Sequence, residues 1–488
     1  MLPVFIILFT ACNNDPCDDL TLPQGFDCED GNIVCNTTCT TGQVLSVNCS
    51  CITDATAIDP DPCLEITCPD GFVKEAETCD CIEIMHADII DVDAGFLSSN
   101  LDAFGPVDLD GFTLPTFYDI AGDFAPGAYN GQIRRVAQLK EIVSVTKDEP
   151  ITFDIAEAMI NTNRDQFTAP EAQGNSDLRS KIDELNYDNG DTSVADAFGE
   201  LADLLVESSQ NFVTTTSNGV AGVITSGGDR RHVSANGLEL AQILEKGMYG
   251  PLFYDQMVDD YLRLSQSGPD NPSGNNESAA GTDYPSTGTD RQHRWDEAFG
   301  YLAANPATYP NPDNTSNGDG DFMANYIYDF SDETEEAFGI NLSERIMDAY
   351  VLGRSILKAG EGFGPNDENV NEAALEACRQ DIKLYVEAGL AAAAFHYLNS
   401  AIADVTEEDK LHHLSEALGF IYSLSFNSEG RMSAAEAYDV LEELGWSSEN
   451  QTLSGIYDIN LWEVTDEQME AARVKLNGAF PGFINVPF

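Results

Sequence analysis

Apolar residues recur with a helical period along most of the chain after residue 132. Residues three or four apart lie on one face of a helix, so this pattern predicts amphipathic helices. The predicted helices span 132–146, 193–212, 235–264, 290–304, 332–358, 369–404, 406–425, 433–445 and 465–477. The sequence therefore predicts a mostly α fold, built from antiparallel helical bundles.

Polar residues mark several of these helix starts. Ser433 with Glu436, and Thr465 with Gln468, have the spacing of capping boxes. Thr406 precedes three acidic residues, and negative charge near a helix N-terminus is favoured by the helix dipole. These signals support the predicted boundaries of the last three helices.

Three other segments precede the helical domain, which we place at 132–488. Residues 1–11 form a short apolar run that predicts a secretory signal peptide. Residues 12–83 are rich in cysteine. Residues 84–131 are rich in Asp, Gly, Phe and Pro without a helical period, and predict an irregular, partly β segment.

The signal run ends in Phe9-Thr-Ala-Cys12, which resembles a lipoprotein cleavage box. We therefore expect Cys12 to carry lipid and to anchor the mature chain in the outer membrane. The following Asn13-Asn-Asp15 resembles the surface-export signal of Bacteroidota lipoproteins, which predicts exposure on the cell surface. No later segment is long and apolar enough to span a bilayer.

The cysteine-rich segment predicts a disulfide framework, because such density in a secreted segment is typical of one. Its spacing repeats once, and its Cys-x-Cys endings resemble small epidermal-growth-factor-like (EGF-like) modules. Zinc is the alternative, but no Cys-x-x-Cys pair occurs. The predicted disulfide set is Cys17, Cys28, Cys35, Cys39, Cys49, Cys51, Cys63, Cys68, Cys79 and Cys81.

The charge balance excludes one class of partner. Lys and Arg total 23 against 84 Asp and Glu, a net charge of −61. Nucleic-acid binding requires clustered basic residues, so we expect no nucleic-acid partner. The acidic surface suits a salt-rich or cation-rich medium, or solubility alone.

A duplicated motif carries the main chemical interest. His293-Arg-Trp-Asp-Glu-Ala-Phe-Gly300 recurs as His412-His-Leu-Ser-Glu-Ala-Leu-Gly419. Each copy places an imidazole and a carboxylate four residues apart, on one helix face. Two facing helices could thus hold an Fe, Zn or Mn ion. The predicted ligands are His293, Glu297, His412 and Glu416, with Asp296, His413 and Asp255 as outer-shell partners or alternates.

A packing interpretation competes with this one. Glu-Ala-Phe-Gly also occurs without histidine at 336–339, and Asp-Ala-Phe-Gly occurs at 196–199. The small residues allow helices to approach closely, so this part of the motif indicates architecture. The Glu-x-x-His pattern of di-iron bundles and the His-Glu-x-x-His pattern of zinc peptidases are both absent.

A second candidate site lies in the loop before residue 324. Alternating oxygen-bearing residues with a glycine at the sixth position suit Ca²⁺, although Ala324 replaces the glutamate expected at the twelfth. An ordinary Asx-rich turn is the alternative. The candidate calcium ligands are Asp313, Thr315, Asn317, Asp319 and Asp321.

The remaining candidates predict no catalytic residue. No nucleophile elbow and no phosphate-binding loop occurs. Cys378 has Leu375 and Ile382 at helical spacing, so a buried, unreactive thiol is expected. His232 lies in a loop-like stretch and is expected to be solvated.

Five ordered blocks resemble a Bacteroidota lipoprotein family of unknown function, domain-of-unknown-function family 4856, which is similar to imelysin. The resemblance covers roughly residues 100–488 and implies a duplicated helical fold with a link to iron uptake. The imelysin motif is Gly-x-His-x-x-Glu, whereas Glu297 lies four residues after His293. In the second copy His413-Leu-Ser-Glu416 fits His-x-x-Glu, but Lys410 and Leu411 precede it instead of the glycine pattern. The blocks are Asn130-Gly-Gln-Ile-Arg134, Lys246-Gly-Met-Tyr-Gly-Pro-Leu-Phe-Tyr254, His293-Arg-Trp-Asp-Glu-Ala-Phe-Gly300, Leu352-Gly-Arg354 and Ser415-Glu-Ala-Leu-Gly-Phe420.

Three functional hypotheses follow. The leading one is a lipid-anchored surface protein that binds a metal ion or chelate, as a non-enzymatic accessory to an outer-membrane transporter. The second is a metal-dependent hydrolase of the imelysin type. The third is a calcium-stabilised adhesion or scaffold module.

Overall fold

A computed structural model of the chain divides into two compact units, residues 1–91 and 92–488. It describes six strands in the first unit and most of residues 94–488. Its main gaps in the second unit are 148–166, 183–184, 186–193, 210–214, 276–287, 311–319, 362–369 and 448–452, besides single positions 103, 105, 110, 126, 175, 177 and 273.

The first unit contains three antiparallel two-stranded hairpins. The lipidation of Cys12 and the cysteine side chains of the predicted disulfide set lie outside the described residues. The strands are β1 (Phe26–Glu29), β2 (Asn32–Cys35), β3 (Gln43–Leu45), β4 (Cys51–Thr53), β5 (Phe72–Lys74) and β6 (Cys81–Glu83).

The second unit is mostly helical, as predicted. Among the described residues its α-helices are α1 (Asn130–Lys147), α2 (Arg179–Ile182), α3 (Val194–Ser209), α4 (Leu240–Met248), α5 (Asp290–Leu302), α6 (Met323–Asp329), α7 (Ser331–Phe338), α8 (Leu342–Ala359), α9 (Glu372–Ala403), α10 (Glu407–Leu424), α11 (Ala434–Glu443), α12 (Leu453–Ile456) and α13 (Asp466–Ala479).

The capping predictions are confirmed. Ser433 and Thr465 each form a complete capping box, and the Thr406 side chain accepts a hydrogen bond from the Asp409 backbone. Cys378 is fully buried, and burial raises the pKa of its thiol, as expected for an unreactive cysteine.

Several boundaries differ from the prediction. The helix predicted over 332–358 is two helices, because Gly339 ends α7 with a φ of 72°. The sequence prediction also missed α6. In the part of 84–131 that is described, from residue 94, the chain forms a 3-10 turn over Ala94–Leu97 and irregular structure without a strand.

The helix predicted over 235–264 is α4 followed directly by π-helical turns over Tyr249–Tyr254 and Gln256–Tyr261. Pro251 accounts for this widening, because its ring lacks an N–H and clashes with the carbonyl four residues earlier. Before α4, strands β7 (Gly222–Ser226) and β8 (Asp229–Val233) form a hairpin that the prediction missed.

The longest helix, α9, forms the centre of the core. It packs against α8 and α10, and α10 packs in turn against α4. Four consecutive alanines, 391–394, are fully buried in α9 and let its neighbours approach closely. Asp404 and the N-cap residue Thr406 mark the short turn between α9 and α10, which makes this pair an antiparallel hairpin.

Candidate metal centre

The two motif copies make equivalent helix contacts. Gly300 of α5 faces α1, where an added Cβ would lie 2.7 Å from the Gln132 Cβ. Gly419 of α10 faces α4, where an added Cβ would lie 2.6 Å from the Lys246 Cβ. The shared glycine therefore serves close packing in both repeats, as the packing interpretation predicts.

Each contact also aligns a polar side chain with the motif glutamate. Gln132 Nε2 donates to Glu297 Oε1 at 3.1 Å. Lys246 Nζ lies 3.2 Å from Glu416 Oε1. The duplication is thus visible in side-chain contacts as well as in sequence.

In the first repeat, the charge of the motif glutamate is neutralised by an arginine of the same helix. His293 Nε2 lies 3.7 Å from Glu297 Oε2, and Arg294 donates to the same oxygen at 2.8 Å. The guanidinium of Arg294 and the amide of Gln132 therefore occupy both oxygens of Glu297. In this copy the carboxylate already has a cation beside it.

The second repeat brings three possible metal ligands together. His412, His413 and Glu416 each offer one ligand atom, and these atoms lie within 4.8 Å of one another. His412 Nε2 is 3.3 Å from Glu416 Oε2. We refer to these three residues as the triad. Arg294 occupies the position in the first repeat that His413 occupies here.

Both imidazoles of the triad have a carboxylate on Nδ1. His412 Nδ1 lies 2.6 Å from Glu239 Oε2, and His413 Nδ1 lies 2.7 Å from Asp404 Oδ2. Histidines that bind metal ions usually donate their second N–H to such a carboxylate, which fixes the tautomer and orients the ring. When Nδ1 carries the proton towards its carboxylate, Nε2 is the nitrogen of each ring that could hold a metal ion.

A buried charge network supports the other side of Glu416. Lys246 is the centre of this network. Its ammonium lies 3.2 Å from Glu245 Oε1 and 2.7 Å from Gln242 Oε1. Burial alone lowers the pKa of Lys246, but the carboxylates of Glu245 and Glu416 outweigh burial and raise it. Lys246 is therefore a permanent cation on Glu416 Oε1, and it leaves Oε2 facing His412.

The other predicted residues lie in different surroundings. Asp296 is fully buried and binds Arg354 Nε at 2.8 Å and the Tyr118 hydroxyl at 2.6 Å, so it ties helices together. Asp255 accepts from Gln256, and burial and the nearby Asp259 raise its pKa to about 7.

The candidate calcium ligands are mostly not described. Asp313, Thr315, Asn317 and Asp319 lie outside the described residues. Asp321 is described, and its Oδ2 forms an ion pair with Lys140 at 2.7 Å. His232, which was predicted to be solvated, is instead 6% exposed, because it lies on β8.

Within the described ranges, the triad is the one group of three or more such ligands close enough for a metal ion. It includes His412 and Glu416 from the predicted set and His413 from the alternates, whereas His293 and Glu297 contact Arg294 and Gln132. Sequence reasoning missed Glu239, Asp404 and Lys246. Of these three, only Asp404 could have been recognised from the sequence, because it lies just before the helix that carries His413.

No helix in the described part of the chain has the length and apolarity needed to cross a membrane. No curated protein and no solved structure matches the chain. A family profile with the description "Domain of unknown function (DUF4856)" matches residues 125–475, which include both motif copies and the triad. The chain therefore belongs to this family of unknown function.

Proposed function

We propose that the protein binds a transition-metal ion, free or within a small chelate, at His412, His413 and Glu416. One observation carries this proposal. Two adjacent imidazoles and a carboxylate converge within 4.8 Å, and each imidazole already has a carboxylate on its other nitrogen. This is the arrangement by which proteins orient histidine ligands.

The ligand set indicates the class of metal. Two imidazoles and one carboxylate suit Zn²⁺, Fe²⁺ or Mn²⁺ better than Ca²⁺, which prefers oxygen ligands alone. Ligands about 2.1 Å from one ion are at most about 4.2 Å apart, so small side-chain rotations would close the triad on a metal. Three protein ligands leave at least one position open for a chelate.

The same geometry favours binding over hydrolysis. A metal-dependent hydrolase needs a general base beside the open position. In the described part of the chain, the carboxylates that contact the triad histidines from outside are Glu239 and Asp404. Both accept from ring N–H groups, so neither is placed to take a proton from a bound water.

The cellular setting of the proposal comes from the sequence. The signal-like residues 1–11 and Cys12 support a lipid-anchored protein on the cell surface, where a metal site would serve uptake through an outer-membrane transporter. Membrane partitioning of the wild-type protein and of Cys12→Ala tests this part. Retention of Cys12→Ala in membranes would contradict it.

Equilibrium metal binding tests the site. Metal-free protein is titrated with Zn²⁺ and with Fe²⁺ under anaerobic conditions, and heat release gives the stoichiometry. We expect one ion per chain for the wild type. His413→Arg should abolish binding, because it recreates the first repeat, in which Arg294 neutralises the glutamate.

His293→Ala is the matched control, since it removes the equivalent histidine of the first repeat. It should bind one ion with wild-type affinity. Equal binding by wild type and His413→Arg would refute the triad as the site. Loss of binding in His293→Ala alone would instead place the site in the first repeat.

A further inference from the structure

The triad is connected to the hairpin β7–β8 through Glu239, the residue just before α4. His412 Nδ1 lies 2.6 Å from Glu239 Oε2. On the other side, Arg231 of β8 donates from Nη1 to Glu239 Oε1 at 3.1 Å. Glu239 therefore uses one carboxylate oxygen for the triad and the other for the hairpin.

Burial makes the ion pair between Arg231 and Glu239 strong. The side chain of Glu239 is 3% exposed and that of Arg231 is 17% exposed, so water screens their charges less than at the surface. A buried carboxylate without a cation is unfavourable. The second carboxylate near Arg231 is Asp229, which lies 3.7 Å away and is 80% exposed, so Glu239 is the main partner of the guanidinium.

The backbone of Glu239 is fixed to the helix that carries the triad. Its N–H group donates to Ser415 Oγ on α10 at 2.9 Å, and the Ser415 side chain is fully buried. The main chain of Glu239 therefore has a defined position beside α10. The direction of its carboxylate is then set by the groups that hold the two oxygens, which are Arg231 and His412.

The hairpin itself is held against the same helix. Strand β7 packs against α10. Hydrogen bonds from Thr406, and from Ser226 and Gly227 of the hairpin, lower the pKa of Asp409 in the first turn of α10. The hairpin thus contacts α10 at its turn, besides the connection through Glu239, and this gives Arg231 a fixed base.

We propose that Arg231 is a positioning residue for the triad, and that the hairpin β7–β8 thereby sets the metal affinity of the triad. Arg231 holds Oε1 of Glu239, so Oε2 stays directed at Nδ1 of His412. A carboxylate on Nδ1 orients the ring so that Nε2 meets the metal ion. This inference rests on the proposed metal site at the triad.

The sign of the effect separates positioning from simple electrostatics. Arg231 is a cation and like charges repel, so its removal alone would strengthen the binding of a metal ion nearby. Positioning predicts the opposite, because the carboxylate that orients His412 loses its support. Weaker metal binding after removal of a positive charge is therefore the result that identifies a positioning role.

Competition for Zn²⁺ between metal-free protein and a chromophoric chelator measures the effect. We expect Arg231→Gln to bind Zn²⁺ about tenfold more weakly than the wild type, the lower end of the range for outer partners of histidine ligands. Arg231→Met, which also keeps the apolar stem, should show the same loss. Arg231→Lys should recover most of the affinity, because the hydrogen bond to Glu239 uses one nitrogen of the guanidinium.

A charge-matched control is available elsewhere on the surface. Arg263→Gln removes the positive charge of an arginine that is 52% exposed and lies 3.6 Å from Asp260. It should bind Zn²⁺ as the wild type does. A tenfold loss in this control would show that the net charge of the chain, and not the position of Arg231, determines the affinity.

A double-mutant cycle tests whether Arg231 acts through Glu239. In the Glu239→Gln background, Arg231→Gln should cause no further loss of affinity, because the carboxylate that it orients is gone. Equal losses in the two backgrounds would contradict the connection through Glu239.

Failure of this inference is distinguishable from failure of the metal site. If wild-type protein binds no Zn²⁺, the metal site is refuted, and the role of Arg231 with it. If wild-type protein binds Zn²⁺ and Arg231→Gln binds it as tightly or more tightly, the metal site stands and the positioning role of Arg231 is overturned.

Discussion

Lys246 Nζ lies 3.2 Å from Glu416 Oε1, at the point where Gly419 brings α10 against α4. The equivalent contact in the first repeat joins Gln132 to Glu297 at 3.1 Å. The corresponding contact thus pairs the motif glutamate with a charged side chain in one copy and with a neutral side chain in the other. In the copy with the charged side chain the neighbouring residue is His413, and in the other copy it is Arg294.

The glycines at these contacts should be intolerant of a methyl group. Gly419→Ala would place its Cβ 2.6 Å from the Lys246 Cβ and 3.1 Å from the Gly247 backbone nitrogen. We expect a loss of about 1–3 kcal/mol in the free energy of unfolding, measured by denaturant titration. Gly478→Ala is the control, because nothing lies within 4 Å of its Cβ, and it should not destabilise the protein. Equal effects would contradict the packing role.

Replacing Lys246 by methionine should be costly. It would leave Glu416 buried without its ammonium, although Glu245 keeps the ammonium of Lys147 on Oε2. Breaking a buried ion pair costs about 3–5 kcal/mol. Gln132→Met is the matched change in the first repeat. There Glu297 retains Arg294, so the loss should be only about 1 kcal/mol. Denaturant titrations measure both losses of unfolding free energy. Equal losses would show that the ammonium of Lys246 does not stabilise the buried carboxylates more than Gln132 stabilises Glu297.

Asp255 should make the protein less stable as pH rises. Its pKa is raised from 3.8 to about 7 by burial and by Asp259, so the folded state holds a proton that the unfolded state releases. The free energy of unfolding therefore falls between about pH 4 and pH 7. Asp255→Asn should remove this penalty and gain on the order of 2 kcal/mol at pH 8, with less gain at pH 5.

Denaturant titrations at pH 5 and pH 8 measure this difference. Asp203→Asn, at an exposed position on α3, is the control and should show no pH-dependent gain. A gain for Asp255→Asn that is larger at pH 5 than at pH 8 would reverse the predicted sign.

Asp404 should matter for metal affinity without being a ligand. It lies 2.7 Å from His413 Nδ1, and loss of such an outer partner typically weakens metal binding about 10–100-fold. We therefore expect Asp404→Asn to weaken Zn²⁺ binding, as measured by competition with a chromophoric chelator. Glu408→Gln, which removes an exposed carboxylate from α10, the helix that carries His413, should leave the affinity unchanged. An unchanged affinity in Asp404→Asn would show that Asp404 does not position His413 for metal binding.

The sequence predicted local features well because they arise from local physics. Periodicity gave the long helices, and the spacing of Ser433 and Glu436 gave a true capping box. The hairpin β7–β8 was missed because the run Asp229-Arg-Arg-His lacks apolar alternation. Its signal was Gly227-Gly228, since both residues have positive φ, as a tight hairpin turn requires.

The candidate site was less accessible from sequence. The motif predicted His412 and Glu416 because they are four residues apart on one helix. Glu239 lies 173 residues away from His412, and only the packing of α4 against α10 brings them together. The same packing selects Lys246 as the partner of Glu416. Tertiary contacts therefore decide which repeat has a carboxylate oxygen available to a metal ion.

Anomalous X-ray scattering tests the central claim most directly. Crystals of the protein grown with Zn²⁺ are measured on both sides of the zinc absorption edge. We expect one strong anomalous peak in each chain, bonded to His412, His413 and Glu416 at about 2.0–2.2 Å. A well-ordered triad without a peak, or a peak at His293 and Glu297 instead, would contradict the account.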